Sequence, residues 1–487
     1  MVNISTPVTH WALMTLIFVL MGTFLLIAVA LIRRWQQIRF ARHVHTLHHR
    51  YRPVLARLLS GARSAGGIEA LRELPLADLE LLFDPLFSQR KLTERQLVFL
   101  EALCADLGLI ALWQSRSAAG HTATPLYSGD GTPGNHPGGA AGRYLLRAKS
   151  IRNLGKLRHR PSWPLLVNAV DDRHPDIQLL ALRSLGAMGA PESFPFLRER
   201  LHAVVQREST SPPLAGLQAA MVSFDLSCAP ALLPSLRHPD RHLRLHAMEI
   251  LRTMVGREAA RQPRLILIQE LLSPPVVDLL LTVLAVDLSA EVRARVADVI
   301  VFVADARATS VLHDLLIDRQ WFVRLHTVRA LSQWRQTTKP QHLEVGDCLH
   351  DPHWRVRETA IQTLISFGQK GRDHLYKHFL TSPDHNTRAQ IVEVIERTGL
   401  MSVLVEEYST GTKGVEALMV EYLASDTAPM GISGVLRTLE PESRKRFLDR
   451  FLPYAEATMR FPEETHTEMG SSLSLQQILE FPPHLAA

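Results

Sequence analysis

Residues 351–368 read "DPHWRVRETAIQTLISFG". Six positions separate Asp351 from Arg357, and Ala360, Ile361 and Leu364 follow at the spacing of one helix face. The same interval recurs upstream, in "DRQWFVR" from Asp318 to Arg324 and in "DLSAEVR" from Asp287 to Arg293. Weaker copies keep the arginine without the first acid, in "HPDRHLR" ending at Arg244 and "SPDHNTR" ending at Arg388. An earlier copy keeps Asp172 but has Gln178 where the arginine belongs. The arginines at 293, 324, 357 and 388 are 31, 33 and 31 residues apart. A regular period of that size, with two short helices per unit, predicts a stacked helical array in which each unit buries its face on the next.

These residues resemble HEAT repeats of the short, lyase-like bacterial kind. The best match is "DRHPDIQLLALRSLGAMGAPESFPFLRERL" (172–201), with Ala181, Leu182, Leu185 and Gly186 as its core. The resemblance covers roughly 144–400 and reaches toward 455. It implies an all-α fold with a HEAT-type α-solenoid over 144–455. It also implies that Asp287, Arg293, Asp318, Arg324, Asp351 and Arg357 form an internal ladder between neighbouring turns. Charge-assisted bonds of that kind position one repeat on the next, and an acid before a helix also favours its N-terminus. Two irregularities interrupt the pattern. The interval from Arg244 to Arg293 is 49 residues, which calls for an insertion or an extra helix. The unit expected near 210, in "STSPPLAGLQAAMVSFDLS", is barely recognisable, so the stack is expected to bend or break at one of these points.

Composition agrees with packed helices. Apolar residues make up 46% of the 487 and aromatics 6%, a leucine- and alanine-rich balance that suits helices better than sheets. Cys104, Cys228 and Cys348 are too few and too far apart for a disulfide framework or a CxxC metal site, which fits a reducing compartment. The net charge of +6 is local: eight arginines between 33 and 63 account for more than all of it and leave about −2 on residues 69–487. A nucleic-acid binder spreads positive charge over a binding face, so no nucleic-acid partner is expected.

The basic cluster borders "WALMTLIFVLMGTFLLIAVALI", residues 11–32, which contain no Asp, Glu, Lys or Arg. As a helix these 22 residues cover about 30 Å, the thickness of a hydrocarbon core. The front is uncharged and the apolar run ends in Arg33-Arg34 without a cleavage site, so a retained transmembrane anchor is favoured over a signal peptide. The positive-inside rule then puts residues 1–10 outside and the rest in the cytoplasm, a single-pass protein of the inner membrane. Residues 33–62 form a basic juxtamembrane helix expected to leave the bilayer and lie at the anionic headgroups, with Arg33, Arg34, Trp35, Arg39 and Arg42 at the interface. A helical segment follows at 67–113, with a capping box at Thr93 and Gln96. Residues 114–143, rich in Gly, Pro, Ser, Thr and Ala, form an expected flexible linker that joins the remainder loosely to the membrane-proximal part. The tail, 456–487, carries a short amphipathic helix with Leu475, Ile478 and Leu479 on one face, which either docks back or serves as a peptide for a partner.

No catalytic motif is present: GxSxG, P-loop and HExxH are all missing, and no His-Glu pair occurs of the kind that dimetal HEAT-like hydroxylases carry. Gly129, Gly131 and Gly134 fit GxGxxG, but Pro133 lies within the match and no apolar strand precedes it, so no dinucleotide is expected there. His43, His45, His48 and His49 form the most metal-like cluster, read as a polar interfacial face for want of a neighbouring Cys or acid. No cofactor, metal or catalytic residue is assigned. Trp321 and Trp354 occupy equivalent places in adjacent units, each just before a Val-Arg pair. They are either packing residues or, with Arg324 and Arg357, a paired protein-binding surface. The expected function is therefore a membrane-anchored cytoplasmic scaffold that binds a membrane-associated protein partner as well as lipid headgroups. The resemblance adds one candidate association, an accessory role in envelope polysaccharide synthesis by a glycosyltransferase. The alternatives are a HEAT-type enzyme, lyase-like or metal-dependent, and a lipid- or pH-responsive membrane sensor.

Overall fold

A single helix, α1 (Ser5–Leu59), runs through both the apolar stretch and the arginine segment without a break. The computed structural model describes residues 5–60, 65–89, 92–118, 140–261, 272–303, 305–333, 345–410, 442 and 445–449. Nearly every described side chain from Met14 to Phe40 is exposed, including Phe18, Phe24, Leu26 and Trp35. Among the described residues α1 is the one unbent helix long and apolar enough to cross a membrane. Its 55 residues extend about 80 Å. The helix continues past the arginines into protein. Burial starts at Leu47 and includes Leu55, Leu58 and Leu59, while His43 Nε2 meets Asp78 Oδ1 at 2.9 Å.

The chain divides into two compact units, 1–224 and 225–487. The division falls after Phe224. Unit 1 contains α2 (Ala65–Arg72), α3 (Leu76–Gln89), α4 (Glu94–Asp106), α5 (Leu109–Ala118) and α6 (Ala140–Leu157). Residues 114–118 thus complete α5 and 140–143 begin α6; residues 119–139 lie outside the described residues. Phe83 and Phe87 of α3, Trp113 of α5, and Leu154 and Leu157 of α6 share one buried core with the end of α1. Arg152 reaches Asp84 at 2.7 Å, and Gln114 Nε2 donates to Ser162 Oγ at 3.0 Å.

Unit 1 continues with α7 (Trp163–Val170), α8 (Pro175–Met188), α9 (Phe194–Val205) and α10 (Leu214–Val222). Helices α6, α8 and α10 lie one against the next, with α7 and α9 alternating between them. The close crossings need glycine. A Cβ on Gly155 would stand 2.4 Å from Ser184 Cβ, and one on Gly186 3.0 Å from the Ala220 carbonyl oxygen. Helix α10 is therefore a regular member of the stack, and the unit near 210 is intact. The capping box at Thr93 and Gln96 is formed, with reciprocal bonds of 3.1 and 3.4 Å.

Unit 2 contains α11 (Leu233–Leu236), α12 (Arg241–Arg261), α13 (Pro274–Thr282), α14 (Ala290–Ile300), α15 (Ala306–Leu316) and α16 (Trp321–Leu331). It goes on through α17 (Trp354–Ser366), α18 (Gln369–Thr381), α19 (His385–Arg397) and α20 (Leu400–Thr410). Helices α12, α14, α16, α17 and α19 pack in succession as one layer, and α13, α15, α18 and α20 interleave as the other. The long interval after Arg244 is taken up in part by α12, which runs for 21 residues. No strand occurs among the described residues. The tail helix expected at 474–479 lies outside them.

Candidate interaction surface

The ladder explains the spacing in the opening stretch. Asp287, Asp318 and Asp351 each sit in the turn before a helix of the first layer. Each Oδ1 accepts the backbone N–H two residues on, from Ser289, Gln320 and His353, at 2.8 Å in all three cases. The arginine six residues later bends back and donates from Nη1 to that aspartate's own carbonyl. The distances are 2.6 Å for Arg293, 2.7 Å for Arg324 and 2.8 Å for Arg357. Its remaining donors reach forward to the next repeat. Arg293 grips Asp318 at 2.7 and 2.9 Å, and Arg324 grips Asp351 at 2.6 and 2.8 Å. Arg244 grips Asp287 at 2.6 and 2.9 Å across the 49-residue interval, so the stack of unit 2 is not broken there. These bidentate pairs are strong and geometrically selective, and their carboxylates are 6%, 10% and 6% exposed at Asp287, Asp318 and Asp351.

Sequence reasoning missed how the irregular copies complete the ladder. In unit 1, Arg147 pairs with Asp172. Gln178 donates to the Asp172 carbonyl and accepts from Ser211 Oγ at 2.8 Å, so an amide and a hydroxyl replace the ion pair. At the other end Arg357 finds Gln390 Oε1 at 2.9 Å in place of a carboxylate.

Burial opposes the charge of Asp318. The Arg293 guanidinium, the Gln320 N–H and the nearby Arg324 outweigh it and hold the carboxyl below its ordinary value. A carboxyl whose folded pKa is depressed adds stability that is complete above its unfolded pKa, about 4, and is lost as pH falls through the folded value. The urea midpoint of the protein is therefore expected to drop as pH falls below about 4, and D318N should flatten that part of the profile.

The tryptophans open two successive helices of this layer, Trp321 at α16 and Trp354 at α17. They do not pair with each other directly. The His353 ring lies flat on Trp321, with centroids 3.9 Å apart and planes 4° from parallel, and stands 6.3 Å from Trp354. The Arg355 guanidinium sits 5.8 Å from the Trp321 centroid and 5.2 Å from that of Trp354. His353 Nδ1 accepts the Arg355 backbone N–H at 3.3 Å, which places the proton of the neutral ring on Nε2. Trp354 is 51% exposed, Arg355 is exposed, and Trp321 and His353 are half-buried. Arg324 and Arg357, expected to share this surface, spend their donors on the ladder instead. His353 and Arg355 take their place, and no spacing in the sequence marks them.

Along the same edge, a cleft of about 480 Å³ opens over the Arg324–Asp351 rung, lined in part by His313, Ile317, Arg319, His350 and Pro352. Ile317 is 70% exposed and Leu288, at an earlier turn, 99%. In unit 1, Arg33, Arg34, Trp35, Arg39 and Arg42 are all exposed, with the Arg39 guanidinium 5.3 Å over Trp35. Gly129, Gly131 and Gly134 lie outside the described residues.

Paired helices laid in two layers and cross-tied by an Asp–Arg ladder define a helical-repeat protein of the HEAT type. Models of the HEAT repeat match residues 141–209 and 345–371, so the chain carries HEAT repeats in both units. Among solved structures, the chain is similar to YibA of Escherichia coli at 16% identity, over 53% of this chain and 92% of that one, with a TM-score of 0.31. It is also similar to Kap121p at 11% identity, over 88% of this chain and 50% of that one, with a TM-score of 0.33. A chain of the Pds5–Scc1 complex matches at 14% identity, over 82% and 69%, with a TM-score of 0.29. No curated protein matches the sequence.

Proposed function

We propose that the chain is a membrane-anchored scaffold that holds a protein partner on the Trp321–His353–Trp354–Arg355 edge of unit 2. The observation that carries this reading is the cation–aromatic stack itself, built across two repeats and left half open. Trp and Arg are the side chains that most often dominate association energies, and a pre-stacked set loses little entropy on binding. Arg319 and Arg355 have no carboxylate partner among the described residues, which favours a partner segment bearing Asp or Glu beside an apolar side chain. Residues 11–32 serve as the anchor, with Arg33, Arg34, Trp35, Arg39 and Arg42 at anionic headgroups and the repeats on the cytoplasmic side. A membrane-associated partner follows from that placement, and envelope polysaccharide machinery is one class the test includes.

The test is capture from solubilised membranes by the full chain and by W354A and R355A variants. Each substitution is expected to weaken capture by about 2 kcal/mol, roughly thirtyfold, with thermal stability unchanged because both side chains face solvent. Equal capture by all three proteins rejects the surface. The sensor reading is separated by changing Arg33, Arg34, Arg39 and Arg42 to Gln: loss of binding to anionic vesicles together with loss of capture favours the sensor.

A further inference from the structure

His374 and His378 lie one turn apart on α18 with their Nε2 atoms 3.0 Å from each other. That i, i+4 arrangement lets two imidazoles chelate one transition-metal ion. Their ring centroids are 4.6 Å apart, and His350, from the turn ahead of α17, brings a third ring to 5.6 Å from His378. With metal–nitrogen bonds of about 2.0–2.1 Å, two rings on one ion have centroids roughly 5–6 Å apart. Gly346 lies against the pair. A Cβ there would stand 2.2 Å from His374 Nε2 and 3.2 Å from His378 Nε2, so only glycine fits this closely against the two rings. Among the described residues no three His, Cys, Asp or Glu side chains already form a finished ligand set. The arrangement is therefore a pair of histidines one turn apart, with His350 as a third ring nearby.

We propose that His374 and His378 bind one divalent transition-metal ion of the Zn²⁺ or Ni²⁺ type, which imidazole suits, with His350 closing over it. When His350 joins, the ion fastens α18 to the turn that carries Asp351, His353 and Trp354. Metal then stiffens the Arg324–Asp351 rung and the neighbouring aromatic edge. The site stands whether or not that edge binds a partner.

The experiment titrates ZnCl₂ into the chelator-stripped full chain in detergent, followed by calorimetry and thermal unfolding. One saturable micromolar site and a higher melting temperature are expected. H374A and H378A should each weaken binding roughly tenfold or more, and H350A by less. His45 and His49 form a second i, i+4 pair, on α1, so an H45A/H49A variant decides the location. Binding retained there supports the proposal. Binding lost there but kept in H374A and H378A overturns it, as does the absence of saturable binding at millimolar zinc. Should the α18 variants fail to fold by circular dichroism, X-ray absorption of the zinc-loaded H45A/H49A variant decides: two or more imidazole ligands support the site, and an all-oxygen shell overturns it.

Discussion

Replacing Arg324 by alanine is expected to destabilise unit 2 by about 3–5 kcal/mol, the cost of leaving a buried charge without its partner. The Asp351 side chain is 6% exposed, and after the change it keeps only the His353 N–H. The same substitution frees the Asp318 carbonyl, which accepts from Arg324 at 2.7 Å. Two repeats lose their cross-tie at once. The loss should appear as a lower denaturant midpoint, and R324K should fall between, since an ammonium cannot match the bidentate grip. R324A/D351A should recover part of the loss, because removing both charges also removes the desolvation penalty. A shift within about 0.5 kcal/mol, the range of ordinary surface changes, would remove the ladder from the energetics of the stack.

Trp113→Ala is expected to cost a similar amount, about 3–5 kcal/mol for deleting a buried indole. Trp113 is fully buried, packs edge-on against Phe87 at 5.8 Å and donates to Glu80 Oε1 at 3.1 Å. Its core also holds Leu154 and Leu157 from beyond the Gly/Pro-rich stretch. Hydrogen exchange should therefore lose protection on α3, α5 and α6 together. If residues before 118 and after 140 were independent modules, α6 would keep its protection and the shared core would be disproved.

The repeat was legible because the ladder imposes two separate spacings. Asp351 and Arg357 must be six apart for the guanidinium to reach the first carbonyl of its own turn, and the period of the arginines follows from reaching the next turn as well. Both leave a mark in a linear chain. Gln178 with Ser211, and Gln390 beneath Arg357, leave none, since an amide or hydroxyl can replace a carboxylate wherever the backbone offers the complementary group. The core shared by α5 and α6 was not legible, because composition at 114–143 says nothing about whether the helices on either side pack together. The aromatic edge was half legible: the register of Trp321 and Trp354 was visible, but the ring between them comes from a turn residue, His353. Its role depends on a cap bond to Arg355 that no periodicity encodes.

Helix α1 runs unbroken from the exposed arginines into the core of unit 1, which it enters at Leu47. A continuous helix set this way couples motion near Trp11 to Leu55 and Leu58, with Pro53, which lacks a backbone N–H, as the softest point on the way.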